Sequence, residues 1–154
     1  MGQPQALALS AEMISFIHGQ IDSGNFMLLA AVDKNQRPIL SFRGSTSVYS
    51  PEQLCFWARN REGATINAIK YNPHVAFMYR SEAIPLCEFH GRARVVVDQD
   101  EQNRIFELAH EQERAKDPEQ SGLGVIVDLD RISGVMGFDN NGPVFCQMAR
   151  VTST

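Results

Sequence analysis

The chain has 154 residues, 44% hydrophobic and 21% charged, the balance of an ordinary soluble globule and not of a disordered tail. That length suits a single domain, 1–154, with one core. A net charge of −4 argues against a dedicated nucleic-acid binder.

Ser10 is a good helix N-cap, and Met13, Ile14, Ile17 and Ile21 follow at helical spacing, so an amphipathic helix opens the fold and Asp22-Ser23-Gly24 ends it. Residues 25–32, NFMLLAAV, are apolar on both faces, which predicts a strand covered on both sides. Asp33-Lys34-Asn35-Gln36 is turn chemistry, and RPILSFR returns as the second strand of a hairpin. Pro51 interrupts the chain. Leu54, Phe56 and Ala58 then alternate with Cys55, Trp57 and Arg59 as a third strand.

A short helix over Gly63 to Tyr71 must stop at Pro73, and HVAFMYR forms a fourth strand. The fifth, Glu88 to Val97, has the clearest period of two: Phe89, Gly91, Ala93, Val95 and Val97 face one way, Glu88, His90, Arg92 and Arg94 the other. Asp98 can cap a helix from Asp100 to about Glu111. Residues 112–122 read as a charged loop or frayed helix end, GVIVDLDRI as a sixth strand, and the tail beyond it as an Asn141-Gly142 turn without a domain of its own. Crossover helices do not follow most strands, so a parallel doubly wound sheet is ruled against; an antiparallel barrel with peripheral helices is the better reading.

The stretch Ser41 to Pro73 concentrates the chemistry. Two strand ends deliver small polar and cationic side chains to one place, and a helix N-terminus with free backbone donors follows, an arrangement suited to a phosphate or another anion. Charge agrees: Arg37 to Arg94 holds eight Lys/Arg against four Asp/Glu (+4), whereas the remainder holds six against fourteen (−8). Cys55, Cys87 and Cys146 are scattered with no CxxC pair, which predicts reduced thiols in a cytoplasmic protein. The N-terminus lacks the features of a signal peptide, and the longest apolar run, Phe26 to Val32, is too short to span a bilayer.

The order and spacing of FMLLAAVD, LCFWAR, INAIKYNPHVAFMYR and FHGRARVVVD resemble the pyridoxine 5'-phosphate oxidase-like FMN-binding split barrels, over about residues 10–135. The resemblance implies a mainly β fold with peripheral helices, a six-stranded antiparallel split barrel, forming a homodimer with FMN in a groove at the subunit interface. It implies that Ser41, Arg43, Gly44, Ser45 and Thr46 hold the isoalloxazine edge and phosphate side, and that Trp57 and Ala58 support the ring or ribityl chain. The family places a Ser and a Lys eight to ten residues before the proline; here those positions are Gly63, Ala64 and Thr65. Arg59, Arg61 or Arg43 could restore the charge, with Thr65 and Asn67 adding neutral hydrogen bonds.

Trp57 is equally well explained by packing, and His90 by a solvated strand face. His18, His74 and His110 have no ligand spacing for a metal, and no nucleophile elbow is present. The implied activity is an FMN-dependent oxidoreductase acting on a small planar molecule. Its rivals are a non-catalytic module holding a flavin or a tetrapyrrole, and a deazaflavin-dependent reductase on the same barrel.

Overall fold

The computed structural model describes residues 2–151. Helices α1 (Ala11–His18) and α2 (Gln20–Ser23) follow a two-residue strand β1 (Gln5–Ala6). Ser10 Oγ caps α1 by accepting from the Met13 amide at 3.2 Å, and Gly24, at φ +77°, closes α2 in the left-handed conformation. Gln20 is buried and fully used: its amide nitrogen donates to the Ile17 and Thr46 carbonyls, and its oxygen accepts from the Met27 amide. One side chain thus ties the first helices to the strands that follow.

The hairpin β2 (Leu28–Val32) and β3 (Pro38–Phe42) is succeeded by β4 (Ser47–Ser50), β5 (Gln53–Ala58), helix α3 (Ala64–Tyr71), β6 (His74–Tyr79) and β7 (Leu86–Val95). Then come α4 (Gln99–Leu108), α5 (Glu111–Arg114), the 17-residue β8 (Leu123–Asp139) and β9 (Gly142–Ala149). The sheet order is β1-β9-β8-β7-β6-β2-β3, with β5 pairing the first half of β8 and β4 pairing β5. All ladders are antiparallel except β1 with β9.

Among the described residues nine strands therefore stand where six are expected from the sequence. Two of the additions have a plain cause. β4 lies in a run of small polar residues that reads as loop, and the Gly-Pro opening of β9 hides a strand that pairs with the long second half of β8. The fifth predicted strand keeps its alternation only to Val95. Val96 is buried and Val97 almost wholly exposed, because the chain leaves the sheet there to enter α4, whose cap is Asp98. Residues 112–122, expected as a charged loop or frayed helix end, begin inside the short helix α5, which starts at Glu111.

The sheet curls on itself. β5 and β6 are three strand steps apart, about 14 Å in a flat sheet, yet the Phe56 and Phe77 rings meet edge to face at 6.1 Å. Leu29, Leu54, Phe56, Phe77, Phe89, Val125 and Val127 fill the interior, closed by Met13 and Ile17 of α1 and Ile66 and Ile69 of α3. The opposite face of β5 and β8, carrying Cys55, Trp57 and Ile126, is covered by Ile105 and Phe106 of α4. β5 is buried along nearly its whole length for that reason. A bulge between His90 and Gly91 brings the Gly91 backbone so near Asp128 that a Cβ would sit 2.3 Å from that carbonyl oxygen.

Candidate functional site

The end of β3, the turn Arg43–Thr46, the end of β5 and the start of α3 converge. Arg43 is the centre of the convergence. Its Nε donates to Ser41 Oγ at 3.1 Å, its Nη2 to Thr65 Oγ1 at 2.6 Å, and its guanidinium lies 5.3 Å from the Phe56 ring centroid. Burial draws its pKa below the ordinary arginine value; the charge of Arg59 acts the same way and that of Glu113 opposes both. It remains a cation at any physiological pH.

Two cavities share Arg43 as a wall. One, of about 260 Å³, lies among Ser41, Ala58, Gly63, Ala64 and Thr65 at the N-terminus of α3. Gly63 occupies the N-cap position and offers no side chain, so the first-turn amides lack a capping oxygen from it. The second, of about 280 Å³, is bounded by Phe26, Phe42, Trp57 and Arg59, with Glu113 and Lys116 closing the far side. Lys116 Nζ pairs with Glu113 at 3.0 Å. Glu113 Oε1 also lies against Gly44, where a Cβ would approach it to 2.9 Å.

The residues singled out in the sequence divide into three groups. Ser41, Arg43, Gly44, Trp57, Ala58, Arg59 and Thr65 line one or both cavities. Arg59 is exposed and makes no hydrogen bond or ion pair among the described residues. Ser45 reaches the second cavity, but its hydroxyl donates to the Trp57 carbonyl and accepts from the Trp57 amide, both at 3.0 Å. It replaces a missing rung between β4 and β5. Thr46 is likewise buried, donating to the Arg43 carbonyl at 2.7 Å, and fixes the turn.

Asn67 and Arg61 are not brought to this place. Asn67 is exposed and donates to the Glu62 carbonyl. Arg61 lines a separate, third cavity. β5 ends at Ala58, and the turn closed by the Gly63 amide on the Asn60 carbonyl abolishes the period of two, so Arg59 and Arg61 part. Glu113 and Lys116 are site residues that the sequence reading passed over; their only signal was charge in a presumed loop.

Trp57 is both a packing and a lining residue. Its ring meets Phe106 edge to face at 5.1 Å, and its Nε1 donates to Asp117 at 2.8 Å. Replacing Ser45 with alanine strands the amide and carbonyl of Trp57 in the interior. This should cost about 1 to 2 kcal/mol, seen as a fall of roughly 2 to 8 °C in Tm by calorimetry.

Residues 13–128 match the family model described as pyridoxamine 5'-phosphate oxidase. No curated protein matches the chain at a significant level. Among solved structures, it resembles a candidate pyridoxamine 5'-phosphate oxidase of Lactobacillus delbrueckii with a TM-score of 0.63 at 20% identity, covering 86% of this chain and 98% of that one. HupZ of Group A Streptococcus gives a TM-score of 0.64 at 16% identity, covering 93% and 98%. A structure described as an F420 reductase gives 0.55 at 19% identity, covering 71% and 89%. At these identities the structural likeness establishes the fold alone.

Proposed function

Because the chain belongs to the pyridoxamine 5'-phosphate oxidase family, we propose that it is an FMN-dependent oxidoreductase acting on a small planar molecule. One observation carries the reading: the Arg43 guanidinium stands between Ser41 and Thr65 at the uncapped start of α3. The lysine that the family resemblance would place at Thr65 is absent, and Arg43, in the turn just after β3, brings positive charge to the same spot. Its donors beyond the two already used, with the free amides of α3, suit a phosphate monoester. The neighbouring cavity, with Phe42 and Trp57 and the backbone of Arg43 and Gly44, suits a flat ring.

FMN would supply the redox chemistry; the chain binds, orients and shields it. Arg43 holds the phosphate end, and Arg59 lends charge to the ring cavity. Trp57, fixed through Asp117, gives that cavity one firm aromatic wall. No side chain is assigned a proton-transfer role.

Two copies are proposed to meet over β3. Leu40 and Phe42 are 67% and 70% exposed on this strand, which ends the sheet path, and Phe26 packs beside Phe42 with ring centroids 6.4 Å apart. Such a pairing would roof both cavities. A dimer is expected in light scattering at micromolar concentration, and Leu40→Glu is expected to convert it to monomer; a wild-type monomer would refute the pairing.

A second reading has its own support. The missing lysine and the fold likeness to an F420 reductase favour a deazaflavin coenzyme. Purified protein settles the choice: a yellow protein bleached by a reduced nicotinamide is the expected result. Yellow protein that no donor reduces points to a non-catalytic flavin module, and colourless protein that takes up only a deazaflavin to the second reading.

A further inference from the structure

On the other side of Trp57 lies a larger cavity, about 570 Å³, that the flavin reading does not use. It opens between the end of β7, the first turn of α4 and the start of β8. Among the described residues its cations are Arg61 and Lys70, and no Asp or Glu lines it. Carboxylates adjoin this lining in the chain, and two are committed to other partners: Asp98 caps α4 through the Glu101 amide, and buried Asp117 holds the Trp57 indole and the Gly122 amide. Among the described residues Arg61 makes only two long contacts, 3.4 Å each, to the Ser121 and Gly122 carbonyls, so most of its five donors are unspent there. Lys70 joins none of the ion pairs among the described residues.

Three glutamines stand in the same wall and are all oriented alike in function. Gln102 donates its amide to the Val96 carbonyl at 2.8 Å. Gln99 and Gln120 donate theirs to Asn103 Oδ1 at 2.9 and 3.2 Å. Each side-chain carbonyl is left as an acceptor without a donor among the described residues. Beside them Val97 is 96% exposed, next to Val95 and Leu123. The loop carrying Gln120 is firm: Gln120 sits at φ +54°, a conformation uncommon for a residue with a side chain, and Asp117 holds the loop through the Ser121 and Gly122 amides.

Unspent cations call for an anion, unpaired acceptors for hydroxyl or amino donors, and the bare valine surface for a flat apolar group. We propose that this cavity binds a nucleoside monophosphate, with the phosphate on Arg61 and Lys70, the sugar and base donors on the glutamine carbonyls, and the base on Val97. The assignment does not rest on the flavin reading. Trp57 is the only tryptophan of the chain and borders both this cavity and the one beside Arg59, so occupancy here should be visible in its emission.

The test titrates the full chain with adenosine 5'-monophosphate, following Trp57 fluorescence and heat. Saturable binding is expected, at least about tenfold tighter than inorganic phosphate or adenosine alone. Arg61→Gln and Lys70→Gln should each weaken it about tenfold, the value of one charge-assisted contact. Saturating FMN and the variant Arg43→Gln should leave it unchanged. Phosphate binding as tightly as the nucleotide would overturn the proposal. So would displacement of the nucleotide by FMN, an unaltered affinity in the double Arg61→Gln/Lys70→Gln variant, or no saturation below about 1 mM.

Discussion

Replacing Arg43 with glutamine is expected to raise the Kd for FMN about 100-fold, as measured by quenching of flavin fluorescence. A charge-assisted hydrogen bond is worth roughly 1.5 to 3 kcal/mol, or about 10- to 150-fold in affinity, and Arg43 is the one cation placed directly between Ser41 and Thr65. Its orientation is fixed before any ligand arrives, by those two hydroxyls and the Phe56 ring, so little side-chain freedom is lost on binding. Arg59→Ala should cost less, because that side chain is exposed and held by no partner among the described residues. Arg43→Lys separates charge from shape: the ammonium keeps the charge but cannot bridge both hydroxyls and the phosphate, so an intermediate loss of about tenfold is expected. If Arg43→Gln bound FMN as the parent does while Arg59→Ala did not, the phosphate end would lie in the Arg59 cavity and the orientation proposed above would be reversed.

Much of this site was legible because its parts are local. Ser41 and Arg43 lie two residues apart on one strand end, and Pro73 dictates where α3 must stop, so convergence of that strand with the helix start follows from short-range rules. What escaped the sequence depends on contacts between distant segments. Glu113 reaches Gly44 and Asp117 reaches Trp57 across about sixty residues or more, and nothing in the run QERAKDPEQSG announces either partner. The partners of two hydroxyls were equally hidden. Ser45 and Thr46 look like ligand groups, yet folding spends them on the backbone of Trp57 and Arg43, since buried main-chain groups at an irregular strand edge must find partners. The two arginines after Trp57 look equivalent in the sequence and are not, because a strand's alternation holds only while the strand lasts.

The largest loss of stability is expected at Asp117, which no local pattern distinguishes from its charged neighbours. Its carboxylate accepts from the Trp57 indole at 2.8 Å, the Gly122 amide at 2.9 Å and the Ser121 amide at 3.0 Å. Burial alone would raise its pKa; these three donors and the nearby Arg59 outweigh that and hold it below the ordinary carboxylate value. A depressed folded-state pKa means that the stabilisation is fully present above the unfolded value of about 3.9 and fades as the pH falls through the lower folded value. Asp117→Ala leaves three donors facing a void and should cost about 3 kcal/mol at pH 7, a fall of roughly 6 to 12 °C in Tm. Asp117→Asn keeps the shape but turns a donor toward donors, and should cost about 2 kcal/mol. The gap between parent and Asp117→Asn in urea unfolding should narrow as the pH drops below 4, because the parent then loses the ion that the variant never had. A gap that stayed constant across that range would show that shape, not charge, holds the loop. Trp57 stands between the flavin-ring cavity and the one bounded by Arg61, so loosening its indole should also broaden and red-shift its emission. Unchanged emission in Asp117→Ala would mean that Phe106 alone fixes the ring, and that the two cavities do not share a wall set by this carboxylate.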